Sequence, residues 1–286
     1  MARSARSFAL SVLSGGRGSH FLLYVFLTCA SLVMIFPFLW MFSSSFKPDA
    51  DIFNFPIQWI PEKPFPQNYI HVWNTIHYGR LLFNTSFLTV MITSLQVLTC
   101  TLAGYAFAKI PFPESRILFL GYLATLMVPF QVVMIPQFTI IRMLGLMNTH
   151  WAIIFIQAFS PFGVFLMRQF FLNIPMELSE AARIDGLSEF GIYSRIILPL
   201  SKPAIASLVI FTSVAVWNDF LTPLIYLNTA VKWTIQLGLR SLFAEYTADY
   251  GGVMAGAVLA ILPVLVVFLF LQRFFIEGIA MSGIKG

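Results

Sequence analysis

Six apolar stretches alternate with shorter polar segments along the chain, at about residues 21–42, 81–107, 117–141, 151–167, 203–227 and 253–272. A helix needs about 20 mostly apolar residues to cross a hydrocarbon core of roughly 30 Å. The pattern therefore predicts an all-α, polytopic membrane protein with six transmembrane helices. Among the prolines inside these stretches are Pro129 and Pro136 in the third, Pro161 in the fourth, Pro223 in the fifth and Pro263 in the sixth. Spanning helices tolerate proline where neighbours or local adjustment re-satisfy the freed carbonyls, so kinked helices packed in a bundle are expected.

Composition strengthens this reading. Of 286 residues, 58% are hydrophobic and 10% charged, the mean hydropathy is +0.83, and 31 residues are Phe. Soluble domains carry roughly 25% charged residues, and so little polar surface will not coat a water-soluble body of this size. The net charge of +5 comes from scattered Lys and Arg with no run suited to nucleic acid. Cys29 and Cys100 each lie in an apolar stretch and read as packing residues. His20, His71, His77 and His150 share no metal-ligand spacing.

The basic residues set an orientation. With the N-terminus inside, the cytoplasmic segments hold eleven of the 17 Lys and Arg, and the external segments hold six. That bias favours both termini in the cytoplasm. Residues 1–20 then form a cytoplasmic segment, 21–275 the transmembrane domain and 276–286 a cytoplasmic tail. The first apolar run, about 22 residues long after Arg3, Arg6 and Arg17, exceeds a secretory h-region and is expected to remain as an uncleaved first helix. Residues 43–79, rich in Pro, Asn and aromatics, are expected to form a short ordered cap on the outer face.

The most informative segment is the polar connection between the fourth and fifth spans, within residues 172–202. Pro175 suits a helix's first turn, and Glu177 and Glu180 suit its positive end. Gly186 is placed to stop that helix in a left-handed conformation. Ser188 can cap a second short helix expected to end before Pro199. Two short helices joined at a glycine make a stiff, protruding knob, with Ala181 and Ala182 as a slim shoulder that could enter a partner's groove.

Glu180-Ala181-Ala182, three residues, Gly186, nine residues, Ile196, one residue and Leu198-Pro199 together resemble the EAA loop of binding-protein-dependent ABC importer permeases. The likeness extends through Phe46-Lys47-Pro48, Ala103-Gly104-Tyr105-Ala106-Phe107-Ala108, Leu144 to Thr149, Phe165 to Phe171, and Trp217-Asn218-Asp219-Phe220. It points to the sugar-importing branch typified by the maltose/maltodextrin permeases, and to the smaller permease of the pair. The resemblance implies that Glu180, Ala181, Ala182, Asp185, Gly186, Ile196, Leu198 and Pro199 couple the chain to ATPase subunits. It also implies that the tail, with Gly283, Lys285 and Gly286, reaches between those subunits. The implied partners are a second homologous permease, two ATP-binding subunits that hold ATP and Mg, an extracytoplasmic solute-binding protein and a sugar. The implied location is a bacterial or archaeal cytoplasmic membrane.

Asp219 is the only acidic residue inside an apolar stretch. An ionised group at mid-bilayer costs about 2.5–3.5 kcal/mol on insertion scales, so such a residue faces a polar cavity or a partner. With Asn218 it is a candidate for the pore or substrate path; a structural hydrogen bond near the outer interface is the alternative. Trp40, Trp151 and Trp217, near span ends, read as interfacial belt residues. No phosphate-binding G-x-x-x-x-G-K-[ST] motif occurs, so energy from ATP has to enter through other subunits. No Ser/His/Asp set or carboxylate pair suggests an enzyme. An ion-coupled secondary transporter is the rival function, but it would call for more spans, an internal repeat and several intramembrane ionisable groups.

Overall fold

In lipid every backbone N–H and C=O needs an internal partner, which leaves helices as the natural element for apolar runs of this length. A computed structural model describes residues 17–243 and 249–283. In chain order the helices are α1 (Arg17–Ser44), α2 (Asp49–Ile52), α3 (Gln67–Thr75), α4 (Tyr78–Lys109), α5 (Ser115–Met127, ending in a 3₁₀ turn), α6 (Phe130–Met143), α7 (His150–Gln157), α8 (Pro161–Leu172), α9 (Met176–Ile184), α10 (Glu189–Leu200), α11 (Lys202–Trp217), α12 (Leu221–Tyr226), α13 (Ile235–Arg240) and α14 (Tyr250–Gly283). Among the described residues α1, α4 and α14 are long and apolar enough to cross a membrane alone, and three bent pairs bring the spans to six.

The bends give the expected kinks their positions and sizes. The third stretch is α5 and α6, turned by 100°. Pro129 offers no N–H and drives Val128 to an extended conformation (φ −83°, ψ 115°), whereas Pro136 sits inside α6 without breaking it. The fourth stretch bends by 41° between α7 and α8, where Ser160 caps α8 by accepting the Gly163 N–H at 3.1 Å. The expected fifth span, 203–227, stops at Trp217, and a short break separates it from α12. α10 and α11 meet at 79°.

The chain divides into two compact units. Among the described residues, the first comprises 17–72 and 249–258, and the second 73–243 and 259–283. In the first, α1 exposes apolar side chains on every side, as a lipid-facing helix does. The segment after it is ordered around Lys47. This lysine is buried, donates to the Gln58 carbonyl and lies 5.0 Å from the centre of the Trp40 ring. Burial lowers its pKa, opposed by the charge of Asp51. Asn68 ties the same turn by donating to the carbonyls of Ser45 (3.0 Å) and Lys47 (2.7 Å). Asp49 and Asp249 accept the N–H groups of Gly251 and Gly252, each at 2.7 Å, and so cap the start of α14.

In the second unit α4 is the spine, packed chiefly against α8 and α11. Gly104 makes the closest approach possible: a Cβ there would lie 2.8 Å from the Met167 Cβ and 3.1 Å from the Arg168 backbone nitrogen. Two apolar clusters share this helix. One gathers Cys100, Tyr105, Met167, Phe171, Ile192, Ile197 and Leu208; the other gathers Leu88, Ile92, Ile141, Ile153, Ile154, Val216 and Tyr226. Trp217, expected at a lipid interface, is instead buried and donates its indole N–H to the Ala260 carbonyl at 3.0 Å, tying α11 to α14.

Candidate functional site

The knob forms where the sequence places it. Pro175 stands at the N-cap of α9 (φ −54°, ψ 137°) with Glu177 in the first turn. At the other end Gly186 takes φ +84°. Its N–H reaches the Arg183 carbonyl at 3.0 Å, and the Leu187 N–H reaches that of Ala182 at 2.9 Å. These are the two bonds of a Schellman ending, which satisfies the last carbonyls and fixes the turn. Ser188 then caps α10 by accepting the Gly191 N–H at 3.3 Å.

α10 does not end before Pro199 as expected; it runs on to Leu200 through a π-helical stretch, Tyr193–Ile197. Proline lacks an N–H and crowds the carbonyl four residues back. The wider turn absorbs this, with the Leu198 N–H bonded to the Tyr193 carbonyl five residues away.

The motif residues divide into two sets. Glu180, Ala181, Asp185, Gly186 and Pro199 are exposed. Ala182 is 4% exposed and belongs to the apolar cluster against α4, while Ile196 and Leu198 pack on that cluster from its edge. The inward set positions the knob and the outward set is available to a partner. Beside the outward set lie Ile184, 87% exposed, and Phe190, 70% exposed. Sequence reasoning passed over both, although Ile184 falls three residues after Ala181 and hence on the same helical face. Of the tail residues, Gly283 ends α14, and Lys285 and Gly286 lie outside the described residues.

The second candidate region surrounds Asp219. This residue sits in the break between α11 and α12, where its Oδ1 accepts the Thr222 N–H at 3.1 Å and its Oδ2 accepts from Gln157 Nε2 at 2.6 Å. Gln96 Nε2 donates to the Gln157 carbonyl at 2.7 Å, and Thr212 Oγ1 donates to Gln96 Oε1 at 2.9 Å. These groups line a cavity of about 670 Å³ together with Gln137 and the rings of Phe130, Phe159, Phe162 and Phe211. Gln137 Oε1 is buried there with no hydrogen-bond partner among the described residues. Amides, a hydroxyl, a carboxylate and flat apolar rings form a wall suited to a neutral polyhydroxylated ligand. Asn218 is not part of it: its Nδ2 donates back to the Val214 carbonyl at 2.9 Å and the side chain is exposed. The pair proposed from sequence is therefore split. The three glutamines were missed because each lies in a different helix with nothing local to mark it. Among the described residues no three His, Cys, Asp or Glu side chains gather in a way that could hold a metal ion.

Other segments singled out in the sequence are places where the backbone is unusual. In the turn after α6, Gly145 and Asn148 have φ +68° and +57°. Asn148 Oδ1 accepts from the N–H groups of Asn228 and Thr229, at 3.0 and 3.2 Å, clasping the turn that follows α12.

Comparison with known proteins decides the family. Residues 97–280 match the model of the binding-protein-dependent transport system inner membrane component. The chain belongs to that family. It is 35% identical to the arabinooligosaccharides transport system permease protein AraQ of Halalkalibacterium halodurans, over 90% of this chain and 93% of that one. It is 34% identical to the protein LplC of Bacillus subtilis, over 92% and 93%. The sn-glycerol-3-phosphate transport system permease protein UgpE of Yersinia enterocolitica is 31% identical, over 95% and 99%. The fold matches, at a TM-score of 0.82 and 24% identity, a chain in the crystal structure of a bacterial ABC transporter involved in the import of the acidic polysaccharide alginate. The match covers 91% of this inner-membrane component and 99% of that chain.

Proposed function

We propose that this inner-membrane component is a permease subunit of an ATP-driven sugar importer, moved by ATPase subunits that grip the knob at residues 175–199. The observation that carries the reading is the Schellman-ended junction at Gly186. It presents Glu180, Ala181 and Asp185 outward while Ala182 anchors the same helix to the core. A rigid, outward-facing pair of short helices is what a moving partner needs in order to push on a membrane span. The relatives named as permeases for arabinooligosaccharides and for sn-glycerol-3-phosphate support a sugar or polyol derivative as cargo.

The full assembly in this reading has a second homologous permease, two ATP-binding subunits carrying ATP and Mg, and an extracytoplasmic binding protein that delivers the sugar. Both termini are cytoplasmic, and the tail with Gly283, Lys285 and Gly286 extends toward the ATPases. Approach of the ATPases pushes the knob, turns the inner ends of the spans and opens the pore outward; hydrolysis resets it. The cavity around Asp219, with Gln96, Gln137 and Gln157, is this subunit's share of the substrate path.

Gly186→Val tests the coupling. A β-branched residue at φ +84° is strained by about 1–2 kcal/mol, and its adaptation distorts the knob. Purified in complex, the variant is expected to insert and to retain ATP hydrolysis while uptake per ATP falls at least about tenfold, 1.4 kcal/mol being a factor of ten. Fully coupled uptake would overturn the docking role.

A further inference from the structure

We propose that Tyr105 and Lys109, one turn apart on α4, form with Glu189 a two-point joint that fixes the knob to the end of α4, so that the two move as one lever. The inference rests on the docking reading above and adds the residues that carry the motion inward.

α4 holds the knob at two points. At the entry, the Lys109 ammonium donates to the carbonyl of Ile174, the residue before Pro175. Lys109 is only 4% exposed. A cation this deep persists because it is hydrogen-bonded, and removing its acceptor geometry would strand a buried charge. Past the glycine junction, the Tyr105 hydroxyl donates to Glu189 Oε2 at 2.7 Å, in the first turn of α10. The other oxygen of Glu189 accepts from Arg183 Nε, also at 2.7 Å, in the last turn of α9. One carboxylate thus joins α9, α10 and α4. A third tie, Thr101 Oγ1 to Tyr193 Oη at 2.8 Å, meets the start of the π-helical stretch.

Thr101, Tyr105 and Lys109 are spaced by four and line one face of α4. α4 therefore gives this face three polar groups, all directed at the segment 174–193. Apolar contacts alone would let a short amphipathic helix such as α9 slide or tilt, whereas directional bonds on both sides of it fix its register. Gly104, on the same turn as Tyr105, brings the α8 backbone into contact, so the lever includes the end of α8. Tyr105, Lys109 and Glu189 are positioning residues: they need touch neither nucleotide nor cargo.

Hydrogen exchange on the assembled complex, without nucleotide and with ATP plus orthovanadate, tests this directly. In the wild type the amides of Met176–Ile184 are expected to exchange slowly, and ATP with vanadate is expected to change exchange along the Lys109 end of α4. Tyr105→Phe removes one hydroxyl, and Lys109→Met removes the cation. Each is expected to raise exchange in α9 by about tenfold, as loss of a hydrogen bond to or from a charged group implies, and to abolish the nucleotide response of α4 while the ATPases stay bound. Lys109→Arg, which keeps a donor, should restore it. Unchanged α9 exchange and an intact α4 response in Tyr105→Phe would overturn the joint, and that variant decides the matter if Lys109→Met does not assemble. Loss of the ATPases from Tyr105→Phe would also overturn it, since the hydroxyl would then be shaping the docking surface. Failure of ATPase subunits to cross-link to 175–199 in the wild type would sink the docking reading, and the α9 exchange contrast would still report on the joint.

Discussion

The knob at 175–199 and the break at 218–220 both interrupt helices, and they do so by opposite means. At the knob, the backbone closes on itself: Gly186 turns left-handed and two backbone N–H groups satisfy the freed carbonyls. The side chains there are left free to face outward. At the break, side chains close the gap: the Asp219 carboxylate caps α12 and is held by Gln157 from α7. The first device makes a rigid protrusion from one continuous stretch of sequence. The second makes a polar cavity from six separate helices, held by groups that a ligand could compete for. A change of backbone should therefore damage coupling at the knob, and a change of side chain should damage the cavity.

The sharpest way to break this contrast is Asp219→Leu. It takes the acceptor from the Thr222 N–H and leaves Gln157 Nε2 only its longer bond to Thr222 Oγ1 at 3.3 Å, inside a half-buried site. Losing hydrogen bonds to a charged group costs about 3 kcal/mol, and a clear fall in the thermal midpoint of the detergent-purified complex is expected. Asp219→Asn keeps one acceptor oxygen and should recover more than half of the loss. Equal midpoints for wild type and Asp219→Leu would show that the carboxylate does not hold the break.

Ile184→Asp comes next, at the knob. This side chain is almost fully exposed, so the folded permease should keep its stability. If the outward face docks an ATPase, an apolar anchor replaced by a carboxylate costs about 2 kcal/mol of association, near 30-fold in the dissociation constant. Unaltered ATPase binding would place the docking surface elsewhere, and Phe190→Asp would then be the variant to measure.

The knob was legible because its signals are local. Pro175, Gly186, Ser188 and the Ala181-Ala182 pair act on the backbone within a turn of themselves, so spacing alone carries the geometry. The six-span architecture was legible for a similar reason, since hydropathy is a property of each stretch. Breaks within spans were less so: Pro129 parts two helices by 100° while Pro136 and Pro263 sit inside helices. What separates them is tertiary packing, invisible in the chain. The same holds for Asn218 and Asp219. Neighbours in sequence just past the end of α11, they differ in partner: Asn218 bonds back to the Val214 carbonyl, whereas Asp219 accepts the Thr222 N–H of the next helix. Ala182, Ile196 and Leu198 matched the motif as firmly as Glu180 did, yet only the fold reveals that they face the core.

Ser188→Ala gives the smallest effect and the finest test of the contrast. The hydroxyl accepts a single N–H, that of Gly191 at 3.3 Å, on an exposed helix start. Loss of such a cap costs about 1 kcal/mol, too little to unfold a span but enough to loosen the first turn of α10, where Glu189 sits. If the knob owes its rigidity to backbone closure at Gly186, exchange in α9 should stay slow in Ser188→Ala while the Glu189–Ile192 amides quicken about fivefold. Ser188→Asp, a stronger cap beside the positive helix end, should reverse that change. Equal quickening of α9 and α10 would mean that the two short helices stand or fall together, with the serine hydroxyl a full partner of the glycine turn in making the knob stiff.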